Sequence, residues 1–167
     1  MPCCIERPVN EKLMDVALYI LEKCAHKGTF GKTVLFKLLY FSDFNFYKKN
    51  YRSITGEEYR RLDFGPAPCH FDEIIDKLKR DGIIEVSVDP KNGAHSFKVL
   101  KEIKITHLSK EEVDSINKTI EKLGNCMAKE ISEISHRDTP WQVTRDKDII
   151  DYDLVFYRDN DIALKVE

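Results

Sequence analysis

The chain has 167 residues, 42% hydrophobic and 34% charged, with a formal net charge of -2. That length suffices for one domain with a real core, and the composition is that of an ordinary soluble globule. No stretch approaches 18 uninterrupted apolar residues, and Met1-Pro2-Cys3-Cys4-Ile5-Glu6-Arg7 lacks the apolar run of a secretory signal, so the expected location is the cytoplasm.

Asn10 is a good N-cap, and Leu13, Val16, Ala17, Ile20 and Leu21 then recur at helical spacing, predicting a first helix that ends by Gly28. The second helix is expected over about 32–49. Its Val34, Leu35, Leu38, Leu39, Tyr40 and Phe41 cover far more than one stripe, which places the helix at the centre of the domain. Residues 50–67 read as a connector with a short extended run from Tyr59 to Phe64, broken by Gly65-Pro66 and Pro68 into a rigid corner. A third helix carries Phe71, Ile74, Ile75 and Leu78 on one face. Ile83–Val88 and His95–Leu100 then form a hairpin around Asp89-Pro90-Lys91-Asn92-Gly93. Ser109 with Glu112 three residues on is a capping box opening a fourth helix, and Met127, Ile131 and Ile134 mark a fifth. Thr139-Pro140-Trp141 opens a short turn or helix, with Trp141 expected to plug the core against the third helix. The expected fold is a mainly helical α+β single domain over 1–167 with a small antiparallel hairpin resembling a winged-helix wing. Its core spans about 10–145, and a docking tail over 146–167 frays at its last residues.

Five cysteines (Cys3, Cys4, Cys24, Cys69 and Cys126) are an odd set at low density, expected as free thiols in a reducing compartment. Charge is uneven. Seven basic residues face three acidic ones from Thr29 to Arg61, whereas nine face fourteen from Ser109 to Glu167. Opposed patches of this kind suit a partner-binding protein better than a dedicated nucleic-acid binder.

Motifs for chemistry are weak. Gly31-Lys32-Thr33 resembles the end of a phosphate-binding loop, but His26 stands where that loop needs its first glycine. Cys24, His26, Cys69, His70 and His136 do not fall at zinc-ligand spacing. Asp89, Glu102 and Lys104 superficially match a metal-dependent nuclease, yet Asp89 sits in a turn. Neither a serine-nucleophile elbow nor a His-Glu-x-x-His motif is present. No catalytic residue, metal or cofactor is therefore expected.

The ordered series Lys37-Leu38-Leu39-Tyr40-Phe41-x-Asp43, Thr55-Gly56-Glu57-x-Tyr59 and Phe64-Gly65-Pro66 resembles the signature of the Panacea family of SocA-like antitoxins and phage-associated proteins. Leu108-Ser109-x-Glu111-Glu112 and Ser135-His136…Pro140-Trp141 extend the resemblance to about 10–141. Phe64, Ala67 and Ser135 stand where the family more often has tyrosine, valine and threonine. The resemblance implies an antitoxin of a toxin–antitoxin pair or a protein carried on a mobile element, one that neutralises a toxin encoded nearby by binding it directly and in the SocA-like case delivers it to a protease as an adaptor. The alternative is a winged-helix DNA-binding regulator, but residues 68–108 hold seven basic and seven acidic side chains, without the excess that DNA requires. Charged Lys37 and Asp43 on an apolar helix are expected to emerge at an edge beside Tyr59, Arg60 and the Phe64-Gly65-Pro66 corner, and these seven residues are the expected partner-binding surface.

Overall fold

A computed structural model describes residues 4–6, 8 and 10–167. It is mainly helical, with two separate two-stranded antiparallel sheets. Helix α1 (Glu11–Cys24) is capped by the Asn10 side chain, which accepts from the Leu13 amide. Helix α2 (Lys32–Asn50) follows, and then the strands β1 (Tyr59–Leu62) and β2 (Gly65–Pro68). Helix α3 (Phe71–Arg80) leads into the hairpin β3 (Ile84–Val88) and β4 (His95–Val99). The chain closes with α4 (Lys110–Leu123), α5 (Ala128–His136), α6 (Thr139–Val143), a 3-10 helix (Tyr152–Tyr157) and α7 (Asn160–Val166). The expected capping box at Ser109 and Glu112 is formed.

The even spread of apolar residues around α2 is answered by its surroundings: α1, α4, α5, β2 and the 3-10 helix all pack on it. Leu35, Leu38, Tyr40, Phe41 and Phe44 are fully buried there. Full burial of a side chain of this size stabilises the fold by about 1.5–3 kcal/mol, so this one helix supplies much of the core.

The connector over 50–67 differs from expectation in one respect: Gly65-Pro66-Ala67-Pro68 is itself a strand, paired with β1 in register Tyr59 to Pro68 and Leu62 to Gly65. Proline reads as a breaker because it lacks a donor. Among the described residues β2 has no second strand neighbour, so that missing donor leaves no ladder broken. On the far side of β1 the backbone of 147–150 adds bonds from Ile150 N–H to Tyr59 O (2.8 Å) and from Lys147 N–H to Arg61 O (2.9 Å).

The C-terminal residues do not fray. Val166 and Ile162 are buried, and a chain of rings (Phe44, Tyr152, Tyr47, Phe156, Tyr51) stacks the 3-10 helix on α2 at centroid separations of 4.4–5.9 Å. Arg158 locks the segment in place. Its guanidinium grips Asp138 through two bonds of 2.7 and 3.0 Å and donates to Asn45 Oδ1 (2.7 Å) and Glu167 Oε1 (3.0 Å), while Tyr40 donates to the same Asp138 carboxylate (2.8 Å). Burial works against the Arg158 charge, but the Asp138 carboxylate more than offsets it and holds its pKa above the ordinary value.

Two of the cysteines expected as free thiols are joined. Cys4 and Cys69, 65 positions apart, form a disulfide that ties the N-terminal strap to the end of β2. The fold, not the spacing, brings them together. Cys24 and Cys126 are free and buried, and Cys3 lies outside the described residues. No helix among the described residues is long and apolar enough to cross a membrane.

Candidate functional site

Lys37 and Asp43 do not emerge at an edge. Both are buried on α2, at 2% and 0% exposure, and the reason is that the signature residues satisfy or surround them. Asp43 accepts hydrogen bonds from the amides of Ile54 (3.0 Å) and Thr55 (2.9 Å) and from the hydroxyls of Thr55 and Tyr59 (2.6 Å for the latter). Burial pushes its carboxyl up to about 6, a shift that these four donors restrain. Tyr59 is correspondingly pushed far above the usual phenol range by burial and by the Asp43 charge.

Glu57 continues the network. Its carboxylate accepts from the amides of Glu58 (2.7 Å) and His70 (3.0 Å) and meets His70 Nδ1 at 2.6 Å, and its own amide donates to Thr55 Oγ1. Burial disfavours the His70 cation, but the Glu57 hydrogen bond raises its pKa overall. The Thr-Gly-Glu-x-Tyr signature is therefore a buried polar clamp that fastens the 53–59 loop to α2. Buried polar groups of this kind specify one arrangement because each orphan left behind is costly.

The clamp positions the β1–β2 hairpin. At its turn Gly65 has φ +107°, and a Cβ there would stand 2.6 Å from Lys37 Cε and collide with the Ser135 hydroxyl as well. Only glycine admits both the backbone and the neighbours. Lys37 reaches under this turn and donates one bond, to Pro66 O at 3.3 Å. It has no carboxylate partner among the described residues, and burial lowers its pKa to about 7. Trp141 packs on the hairpin: its indole N–H donates to Leu62 O (3.1 Å), and its ring lies 4.0 Å from the Arg61 guanidinium and 4.4 Å from the His136 ring. Thus both ends of the signature, from α2 and from α5–α6, brace the same corner.

What that corner presents is Phe64, 76% exposed, beside an open groove of about 780 Å³. Lys37, Phe64 and Gly65 line the groove; Asp43, Tyr59 and Pro66 support it from the interior. Arg60 is half-buried and lies against Cys4 Sγ at 3.2 Å.

The nuclease-like set is not assembled into one element. Asp89 caps the exposed turn by accepting from the Lys91 amide, and Glu102 and Lys104 lie in an exposed irregular segment after β4. Cys4, Glu58 and Cys69 bring ligand atoms within 4.8 Å of one another, but with the two sulfurs joined neither is free to ligate.

The model of the antitoxin SocA-like Panacea domain matches residues 35–142, well over half of the chain. The chain belongs to this family. No curated protein and no solved structure matches it. The matched span starts within α2 and ends one residue after Trp141, so it contains the clamp, the hairpin and the brace. Sequence reasoning found these residues by their order along the chain and missed that most of them face inward. The exposed aromatic residues Tyr51 (76%) and Tyr157 (73%) gave no sequence signal distinguishing them from the core rings beside them.

Proposed function

We propose that this Panacea-domain protein acts by binding rather than by catalysis, neutralising a toxin encoded nearby through direct contact at the hairpin corner in the cytoplasm. The observation that carries the reading is Phe64: a large aromatic exposed at the tip of a turn whose backbone is pinned by Lys37, Gly65, Ser135 and the Asp43 clamp. A rigid exposed aromatic loses little entropy on binding and is a typical interface anchor. In this reading Lys37, Arg60, Phe64 and Gly65 shape the contact surface, and Asp43, Tyr59 and Pro66 act through the hairpin they hold. The unit that folds and binds is the whole of 1–167.

The test is co-expression with the neighbouring gene product, comparing wild type with Phe64→Ala and Arg60→Glu after circular dichroism shows both variants folded. Loss of growth rescue and of co-purification in the Phe64 variant is expected, a loss of about 2 kcal/mol or more being usual for an anchor residue. Full rescue by both variants would move the surface elsewhere on the molecule. Delivery of the bound toxin to a protease further predicts that co-expression shortens the toxin's half-life.

A further inference from the structure

The groove beside Phe64 has an electrostatic character that its apolar rim conceals. Phe30, Phe36, Leu62 and Phe64 form walls, and the side chains lining the groove include Lys32, Lys37 and His95 but no aspartate or glutamate. Lys37 is 98% removed from solvent (2% exposed), and its ammonium makes a single bond where it has three donors. A buried cation without a counter-charge is expensive, and a fold that kept it for packing alone would be better served by methionine.

A second feature points the same way. Helix α2, 19 residues long, begins in the wall of this groove with no side-chain cap and no acidic residue in its first turn. The cap is missing for a structural reason: a Cβ at Gly31 would stand 2.9 Å from the His95 carbonyl oxygen of β4, so no capping side chain fits there. The first amides of the helix thus retain their positive end without an acceptor among the described residues. A volume of about 780 Å³ lies within the range of ligand-binding clefts.

We propose that this groove receives an acidic side chain carried on an apolar segment of the partner protein. Lys37 in its protonated form and the open end of α2 supply the positive field, and Phe36, Leu62 and Phe64 cover the flanking apolar residues. The inference rests on the antitoxin reading for the identity of the partner. Its physical content, a carboxylate site in an apolar groove, can be measured without that partner.

The experiment has two arms. In the first, isotope-labelled wild-type protein is titrated with the peptide acetyl-Leu-Glu-Phe-amide and, in parallel, with acetyl-Leu-Gln-Phe-amide. The expected result is a shift of the Lys32, Thr33 and Val34 amides and of the Lys37 Cε resonance with the glutamate peptide, at least tenfold weaker with the glutamine peptide. Equal shifts with both peptides, or none with either, overturn the proposal. In the second arm Lys37→Met is compared with wild type for affinity to the co-purified neighbouring gene product. The expected result is at least tenfold weaker binding by a variant that stays folded. Binding at wild-type strength overturns the carboxylate site while leaving the antitoxin reading intact. Failure of the wild type itself to bind sinks the antitoxin reading, and the peptide arm still decides the groove.

Discussion

Replacing Asp138 by alanine is expected to be among the most damaging single changes in the protein, although the residue lies in a short turn between α5 and α6. The Asp138 and Arg158 side chains are both fully buried and pair through two bonds, with Tyr40 donating to the same carboxylate. The substitution leaves the guanidinium with only Asn45 and the partly exposed Glu167, and the Tyr40 hydroxyl with no acceptor. Removing one partner of a buried pair costs about 3–5 kcal/mol, because the remaining charge is left uncompensated. Total stabilities run to about 5–15 kcal/mol, so roughly a fifth or more of the margin goes. At about 2–4 °C per kcal/mol for a chain of this size, the melting temperature falls by roughly 6–20 °C. Urea denaturation gives the free energy, and amide exchange gives its location: α7, which Arg158 and Glu167 hold against α2, exchanges first. The double variant Asp138→Leu with Arg158→Met removes both charges and recovers most of the loss, the Tyr40 hydroxyl remaining as the residual cost. A loss under 1 kcal/mol in the single variant would refute the argument that this pair locks the C-terminal segment.

Two further outcomes follow from the hairpin corner. Lys37 has a folded pKa of about 7 against an ordinary value of 10.5, so between these values the unfolded chain holds the extra proton and stability rises with pH. Wild-type stability therefore increases from pH 7 to 9 by an amount on the order of 2–3 kcal/mol, and Lys37→Met abolishes that slope; parallel profiles for the two proteins would show that the ammonium is not desolvated. Gly65→Ala combines a backbone at φ +107° with collisions against Lys37 and Ser135, and is expected to cost roughly 2–4 kcal/mol by denaturant titration. A cost within a few tenths of a kcal/mol would mean that the turn can relax away from α2.

The sequence by itself determined what is local. Apolar spacing gave α1, α3 and the central α2, and hydrogen-bonding side chains gave the Asn10 cap and the Ser109 capping box. These depend on neighbours within a few residues, whose geometry a helix fixes in advance. Alternation and turn residues likewise gave β3–β4. The order of Lys37, Asp43, the Thr55–Tyr59 run, Gly65-Pro66 and Pro140-Trp141 marked the family. Only the tertiary structure decided which way those residues face. A charged residue on an apolar helix reads as an edge because burial without partners is costly, but the partners of Asp43 come from positions 54, 55 and 59, and the chain must fold back before they meet. The strand over Gly65–Pro68, the docking of Arg158 on Asp138 and the Cys4–Cys69 bond have the same origin. The strand pairs only with its near neighbour β1 but is held by packing on α2 and α5, and the other two are contacts between distant residues, so no local pattern encodes them.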